Sequence, residues 1–269
     1  MAQTPGFTDL RDRIVELAQP SDGQAVVDIG AGTGLLALAL AERVASVWAV
    51  DSSQAMVECL RMKARRADLA NVAVVHASAV SLPLADSVAD LVVSNYCFHE
   101  LRHADKQLAL KEAMRVLRPG ARLVIGDMMF SLNPADSRDR HLVAGKVRAI
   151  ARRGLPGAWR LLKNVARLAS GRWEHPANAA WWRAALRQAG FEQLHIETCA
   201  HEGGIAVAYA PATKAATSAA TRRRGTVAPQ ERASGDHSQP PHRSEVSEAT
   251  RGTLPATASR VSATVLCFR

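Results

Sequence analysis

A glycine-rich turn is the first place where this sequence could bind a ligand. Residues 25–29 (AVVDI) form a short apolar run, the glycine-rich stretch 30–34 (GAGTG) follows directly, and a helical stretch begins there and continues to 43. Glycines let the backbone turn sharply and approach a ligand without a Cβ in the way. A dinucleotide site requires glycine at position 35, which is leucine, and a Walker loop requires Gly-Lys-Ser/Thr, which is absent. The pattern disfavours a pyrophosphate ligand and leaves a nucleoside-type ligand open.

An acidic residue stands at the end of the next apolar run. The run 46–50 (SVWAV) leads into Asp51, which lies 17 residues after Gly34. That distance suits a helix and a returning strand. In open parallel sheets, a carboxylate at the end of the second strand accepts hydrogen bonds from the ribose hydroxyls. The glycine turn and Asp51 together therefore predict a nucleoside-binding site.

The elements that must position these residues alternate along the first 210 residues. Apolar runs occur at 25–29, 46–50, 72–76, 88–94 and 121–128, and helical stretches at 8–18, 34–43, 53–66 and 105–117. This rhythm predicts a doubly wound, Rossmann-like α/β sheet, mostly parallel and with helices on both faces. After a helix at about 177–189, strands at 192–200 and 204–210 have a connection short enough for a hairpin. We therefore expect seven strands, ending in an antiparallel C-terminal strand.

Two segments carry the excess of positive charge. Within a basic helical insert at 130–175, residues 136–174 contain ten basic and three acidic side chains. Residues 211–269 contain nine basic and four acidic side chains without apolar periodicity. We expect this second segment to be a low-complexity, disordered tail, either a tether for an anionic partner or a solvated end, after a folded domain at 1–210. Because a nucleic-acid binder usually spreads its basic surface more widely, no specific nucleic acid is expected.

The sequence resembles class I S-adenosylmethionine-dependent methyltransferases, in particular the group that acts on small molecules. The resemblance covers roughly residues 8–210 and so identifies 1–210 as the methyltransferase domain. Its matching stretches are Val26–Gly34 (VVDIGAGTG), Ala49–Asp51, Ser81–Pro83 with Ala89–Asn95, and Arg115–Gly126 (RVLRPGARLVIG). It implies S-adenosylmethionine as the methyl donor and S-adenosylhomocysteine as the product.

The resemblance also implies a role for each residue around the donor. Asp28 would approach its ammonium group, Asp51 would hold its ribose, and Asn95 would lie near its methyl group. The backbone contacts would come from Gly30, Ala31, Gly32 and Gly34, and the adenine would lie beside Ser52, Met56, Ser78 and Ala79. Ser78 stands where many relatives have aspartate, so we expect a weaker bond to the adenine amine. Alternatively, Asp28 caps a turn, Met56 belongs to the core and Ser52 caps a helix.

Side chains that could assist the chemistry follow the predicted fourth and fifth strands. In open α/β sheets, ligands bind beyond the carboxyl ends of the strands. An oxygen acceptor of high pKa would require a base. His99 is the candidate in the best position, and Asp127 is the next. The alternative for His99 is a structural hydrogen bond or a helix cap. Cys97 is not expected to act as a nucleophile, because methyl transfer requires no covalent enzyme intermediate.

The acceptor is expected to be a small molecule whose methylated atom (oxygen, nitrogen or carbon) stays open. The insert stands where relatives have an acceptor lid. Its basic, amphipathic helices at 138–170 favour an anionic or lipid-like acceptor, or a weak contact with an anionic membrane surface. One alternative is an RNA or protein methyltransferase, although the stretch Asn95–Phe98 lacks the prolines typical of enzymes that methylate base amines. Another is a donor-binding regulator without catalysis. The oligomeric state stays open.

Composition excludes several other classes of protein. No apolar stretch of about 20 residues is free of charge, so no transmembrane helix is expected. Residues 1–19 lack a cationic start followed by an apolar run, and the four cysteines form no CxxC pair, so neither a secretion signal nor a metal site is expected. These features favour a reducing, cytoplasmic setting.

Overall fold

The computed structural model describes most of the first 213 residues. The described residues are 5–131, 175–199 and 202–213, together with the helical positions 140, 141, 144, 145 and 148. They all belong to the unit Met1–Ala215. Most of the basic insert predicted at 130–175, and the tail predicted at 211–269 from 214 onward, lie outside the described residues, so both stay predictions.

Helices and strands alternate from the first described residue to the fifth strand, as the apolar runs predict, except that β3 and β4 are joined by a loop without a helix. The helices are α1 (Pro5–Ala18), α2 (Ala37–Ala41), α3 (Gln54–Arg66), α4 (His103–Val116) and α5 (Ala179–Gln188), with a 3-10 turn at Phe98–Glu100. The strands are β1 (Ala25–Ile29), β2 (Ser46–Asp51), β3 (Val72–His76), β4 (Ala89–Asn95), β5 (Leu117–Met128), β6 (Glu192–Thr198) and β7 (Gly203–Tyr209).

The described strands form one seven-stranded sheet in the order β3-β2-β1-β4-β5-β7-β6. Neighbouring strands from β3 to β5 are parallel, and β7 is antiparallel to both β5 and β6. The strand order reverses between β1 and β4, which creates a crevice at their carboxyl ends. The predicted Rossmann-like α/β fold is therefore confirmed.

Apolar side chains of the sheet alternate between two layers of helices. In β1, Val26 belongs to a core shared with Leu10, Ile14 and Leu40 of α1 and α2, whereas Val27 belongs to a core shared with helices α4 and α5. Successive side chains of a strand point to opposite faces, so a continuous apolar run suits a strand covered on both sides. The crevice is thus built on a rigid scaffold.

Two features differ in detail from the sequence prediction. The helix predicted at 34–43 is only Ala37–Ala41, because Gly34 has a φ of +92°, which a right-handed helix does not allow. The antiparallel C-terminal strand β7 is confirmed, but it lies between β5 and β6 and not at the sheet edge. The hairpin returns β7 beside β5, so β6 becomes the edge.

The arginine of the RVLRPG stretch braces the loop between β3 and β4. The Arg115 guanidinium donates hydrogen bonds to the backbone carbonyls of Leu82 and Leu84 and to the carboxylates of Asp86 and Glu112. Its position in the fold is structural, since these contacts hold the loop against α4.

None of the described helices combines the length and apolar character needed to cross a membrane.

Candidate functional site

The glycine turn after β1 is locked against two neighbouring strands. The N–H groups of Gly30 and Ala31 both donate to the carbonyl of Val50 in β2, at 2.8 and 2.9 Å. Gly30 has a φ of +73°, and a Cβ there would lie 2.2 Å from the Sγ of Cys97, which follows β4. Glycine is therefore required at this position by both conformation and space.

The middle of the same turn faces open space. Gly32 has a φ of +53°, and a Cβ built on it would have no described atom within 4 Å. Its N–H donates to Oδ2 of Asp51 at 2.8 Å. The turn therefore exposes its backbone on the side where the sequence predicts a ligand.

Asp51 at the end of β2 is fixed by two backbone groups. One carboxylate oxygen accepts the N–H of Gly32 and the other accepts the N–H of Ser53, each at 2.8 Å. A carboxylate offers about four lone-pair positions, so Asp51 can accept further hydrogen bonds. This geometry suits the predicted role, in which two hydroxyls of a ribose donate to the same carboxylate.

The carboxylate of Asp28 in β1 is buried, and one of its oxygens has no donor among the described residues. Its residue is 1% exposed, and its Oδ2 accepts no hydrogen bond from the described residues. Burial raises the pKa of Asp28 to about 7, the charge of Asp51 adds to the rise, and a hydrogen bond from the N–H of Ala37 opposes it. A buried acceptor without a donor requires an explanation, and the ammonium group of a ligand would supply one.

Asn95 at the end of β4 has a similar acceptor. Its side-chain oxygen Oδ1 is buried and receives no hydrogen bond within the described part of the chain. Its backbone pairs with Gly126 of β5, which places it beside the carboxyl end of that strand. Asp28 and Asn95 therefore fit a ligand that brings hydrogen-bond donors, as S-adenosylmethionine does through its ammonium group.

The residues predicted to contact adenine lie along the carboxyl ends of β2 and β3. Ser52 and Ser78 are exposed, and Met56 and Ala79 are half-buried. The N-cap residue that precedes α3 is Ser53, not Ser52, and the side chain of Ser53 makes no capping bond. A ring nitrogen of His76, which sequence reasoning did not single out, lies 2.9 Å from the carbonyl of Ser52. The adenine contacts themselves stay predictions.

His99 and Asp127, named separately from the sequence, form a buried pair. Nδ1 of His99 lies 2.7 Å from Oδ1 of Asp127, and the backbone N–H of His99 donates to Oδ2 at 2.8 Å. The exposed fractions of the two residues are 7% and 1%. The N–H of Met128 also donates to Oδ1. This geometry is compatible with a catalytic role of His99. It is also compatible with the alternative, in which His99 makes a structural hydrogen bond to a neighbour.

Tyr96 and Cys97 connect Asn95 to this pair. Tyr96 has a φ of +50°, rare for an aromatic residue, and its ring meets the ring of His99 edge-on with centroids 6.0 Å apart. Burial raises the pKa of the Tyr96 hydroxyl and of the Cys97 thiol. A thiol held protonated is a poor nucleophile, which agrees with the expectation for Cys97.

Lys106 and His175 donate hydrogen bonds to backbone carbonyls of the 3-10 turn and of the residue that follows it. The sequence analysis identified neither residue. The fully buried Nζ of Lys106 donates to the carbonyls of Leu101 and His175, and the N–H of His175 donates to the carbonyl of His99 at 2.7 Å. Burial lowers the pKa of Lys106 to about 8. A lysine on an amphipathic helix is normally exposed, so no pattern in the sequence signals this contact.

The described residues contain no group of three or more His, Cys, Asp or Glu side chains that could hold a metal ion. The groups that the structure describes at the strand ends include backbone hydrogen-bond donors, carboxylates and the imidazoles of His76 and His99. These groups suit binding of a charged nucleoside and movement of a proton.

Residues 27–125 match the model of a family described as "Methyltransferase domain". A demethylmenaquinone methyltransferase from Thermus thermophilus is 38% identical over 43% of this chain and 52% of its own length. A 27-O-demethylrifamycin SV methyltransferase from Amycolatopsis mediterranei is 32% identical over 48% of this chain and 47% of its own. The chain spans about half the length of such curated relatives.

A solved structure of a SAM-dependent methyltransferase from Aquifex aeolicus is similar in fold. Its TM-score is 0.55 with 19% sequence identity, and the match covers 77% of this chain and 93% of that one. At this identity the likeness concerns the fold, and the fold agrees with the seven-stranded sheet described above.

Proposed function

We propose that this chain, whose residues 27–125 match the model of a family described as "Methyltransferase domain", is a class I S-adenosylmethionine-dependent methyltransferase that transfers the methyl group of S-adenosylmethionine to a small-molecule acceptor. The observation that carries the proposal is the buried carboxylate of Asp28, whose second oxygen has no donor among the described residues, beside a glycine turn that is tied to Asp51. These groups complement a ligand with an ammonium group at one end and a ribose at the other.

The residues at the ends of β1, β2 and β4 have separate tasks in this proposal. Asp28 accepts a hydrogen bond from the ammonium group of the donor, Asp51 accepts those of its ribose hydroxyls, and Asn95 lies near its methyl group. The glycine turn brings backbone close to the donor without a side chain between them. S-adenosylmethionine supplies a methyl group on a positively charged sulfur, an electrophile strong enough that orientation does much of the catalysis.

The names of the relatives support a small organic acceptor. One relative is named for demethylmenaquinone and the other for 27-O-demethylrifamycin SV, and neither name refers to a macromolecule. The basic insert predicted at 138–170 favours an anionic or lipid-like acceptor, with a weak contact to an anionic membrane surface as the second possibility. Both possibilities lie outside the described residues and depend on the sequence alone.

A transfer assay tests the proposal against its alternatives. The full chain is incubated with S-adenosylmethionine labelled in the methyl group and separately with a metabolite extract, purified RNA and purified protein. We expect label in the small-molecule fraction together with an equal amount of S-adenosylhomocysteine. Label in RNA or protein instead would favour a macromolecular acceptor, and tight donor binding without any transfer would favour a regulator that binds the donor.

A further inference from the structure

We propose that a groove between α3 and the edge strand β3 binds an acidic segment of another protein, in which carboxylates flank an aliphatic side chain. This surface, the α3 groove, is lined by Arg61, Met62, Arg65, Arg66, Leu69 and Val74. Since α3 begins at the carboxyl end of β2 and its last turn precedes the start of β3, the groove lies away from the crevice. The inference is therefore independent of the proposed function.

The α3 groove consists of two open cavities that share Arg61 and Arg65. The first has a volume of about 320 Å³ and includes Met62, and the second has a volume of about 420 Å³ and includes Leu69 and Val74. Both volumes lie near the lower end of the range of about 300–1,000 Å³ that is usual for ligand sites. Each cavity can therefore receive a few side chains of a partner.

Four cationic side chains of α3 are exposed within a short stretch of the helix. They are Arg61, Lys63, Arg65 and Arg66. No carboxylate in the described part of the chain forms an ion pair with any of them, whereas other arginines do have such partners. These are Arg11, Arg13, Arg115 and Arg118. Like charges four residues apart, as at Arg61 and Arg65, destabilise a helix, so carboxylates of a partner would stabilise this one.

The acidic residues of the groove lie at its two ends. Glu58 precedes the four cations and accepts a hydrogen bond from the side chain of Gln54 at 2.7 Å, and Asp68 follows the helix. The ammonium group of Lys63 donates to the backbone carbonyl of Thr33 at 3.1 Å, so it points toward the glycine turn. The three guanidinium groups therefore form the cationic centre of the groove.

Arg61 is anchored on the edge strand. Its Nη2 donates to the carbonyl of Val74 at 3.0 Å, and β3 is the outermost strand on that side of the sheet. A guanidinium has several N–H donors, so the anchored side chain can still donate to a carboxylate. Because Arg61 covers the open edge of β3 at its centre, a partner is recognised by its side chains and not by addition of a strand.

Aliphatic side chains lie among the arginines. Met62 is 38% exposed and is one of two large apolar side chains that are exposed among the described residues. Leu69 and Val74 are half-buried in the second cavity. The helix dipole favours cations in the last turn of α3, but it does not account for apolar groups exposed between them. A partner that brings an aliphatic side chain together with carboxylates complements both features.

The same surface suits nucleic acids and membranes less well. Neither cavity is lined by an aromatic side chain on which a base could stack. A helix that lies on a membrane turns a broad apolar face outward, whereas Val57, Leu60 and Ala64 of α3 are buried in the protein. An acidic protein segment is therefore the favoured occupant.

The test uses the full chain and a fluorescent peptide of three Glu-Glu-Leu repeats. Extended, such a peptide spans about 30 Å, which exceeds the length of about 20 Å of the 13-residue helix α3. Two comparison peptides carry serine in place of every glutamate or of every leucine. Fluorescence anisotropy should show saturable binding of the first peptide, at least about tenfold weaker binding of either comparison peptide, and loss of affinity with rising salt.

A double variant and a matched control locate the binding. Arg65→Gln combined with Arg66→Gln should weaken binding of the peptide about five- to tenfold, as expected for two lost ion pairs at an exposed surface. Arg222→Gln combined with Arg223→Gln removes the same charge from the basic segment 211–269 and should leave the affinity unchanged. Both variants should bind S-adenosylhomocysteine like the wild type. In hydrogen exchange, the peptide should slow amides within residues 58–76.

Each other outcome overturns the inference. Equal affinity of the wild type and the Arg65, Arg66 variant, or protection confined to 138–170 or 214–269, would show that the peptide binds elsewhere. Tighter binding of oligothymidylate or of phosphatidylglycerol vesicles through Arg65 and Arg66 would assign the groove to a nucleic acid or a membrane. Absence of peptide binding by the wild type would also overturn it, and the methyltransferase proposal would be unaffected.

Discussion

The ionisation of Asp28 depends strongly on the surrounding fold. Its carboxyl group is buried in the central strand β1, with one oxygen bonded to the N–H of Ala37 and the other without a donor among the described residues. Because removing a charge from water is costly, its pKa rises from 3.8 to about 7. The bound ammonium group of a donor would reverse this rise, so the site holds an acceptor that is poorly satisfied until a ligand arrives.

Because Asp28 is buried, we expect the protein to lose stability as pH rises. The substitution Asp28→Asn should remove this loss. Between about pH 4 and pH 7 the folded state keeps a proton that the unfolded state has lost, so the free energy of unfolding falls as pH rises through this window. A shift of about three pKa units corresponds to about 4 kcal/mol. Urea unfolding of wild type and Asp28→Asn at several pH values measures the difference.

The control for this measurement is Asp12→Asn, which replaces an exposed aspartate of α1. Its unfolding free energy should follow that of the wild type at every pH. Parallel curves for wild type and Asp28→Asn would contradict the raised pKa of Asp28.

At the scale of elements, one buried ammonium group joins three segments of chain. Lys106 on α4 bonds to the carbonyl of Leu101 after the 3-10 turn and to that of His175 before α5, and its Nζ lies 5.9 Å from the centre of the Trp181 ring. The N–H of His175 in turn holds the carbonyl of His99. The turn that carries His99 is therefore held in position by contacts with α4 and with the segment that leads into α5.

Lys106→Met should loosen this turn. The substitution leaves two buried carbonyls without a donor, each costing about 1–3 kcal/mol, so we expect a loss of stability of about 2 kcal/mol or more. The amide of His175, which donates to His99, should exchange hydrogen at least tenfold faster. Hydrogen exchange followed by mass spectrometry measures this effect, with Lys111→Met on the exposed face of α4 as the control.

The stability difference should also depend on pH in a defined direction. The pKa of Lys106 falls from 10.5 to about 8, so above pH 8 the folded state releases a proton that the unfolded state keeps. Wild-type stability relative to Lys106→Met should therefore increase as pH rises from about 8 to about 10.5. A constant difference over this range, or slow exchange at His175 in the variant, would contradict the arrangement.

At the scale of the whole molecule, sequence predicts features that are local along the chain. The glycine turn and Asp51 were predictable because strand, turn and strand end follow one another within about 25 residues, and glycine and aspartate have specific uses there. The mostly parallel sheet with an antiparallel C-terminal strand followed from the βαβ rhythm and the hairpin, whereas the place of β7 between β5 and β6 did not. The shortening of α2 was not predicted, because the conformation of Gly34 is set by the turn that it closes.

Contacts between segments that are distant along the chain could not be predicted from the sequence. His99 and Asp127 were each selected for their position after a strand, but their mutual hydrogen bond depends on the register of β4 and β5. Lys106 has the sequence pattern of an exposed lysine and becomes buried only because α5 and the segment before it cover α4. The adenine contacts of Ser52 and Ser78 stay predictions, because both side chains are exposed and no contact in the described structure tests them.

The central claim is that the strand ends around Asp51 bind S-adenosylmethionine, and calorimetric titration of the full chain with S-adenosylhomocysteine tests it most directly. We expect saturable binding that Asp51→Ala weakens by about 1.5–3 kcal/mol, the range for hydrogen bonds to a charged group, while Asp12→Ala binds like the wild type. Circular dichroism establishes that both variants are folded. Absence of binding by the wild type, or unchanged affinity in folded Asp51→Ala, would contradict the account.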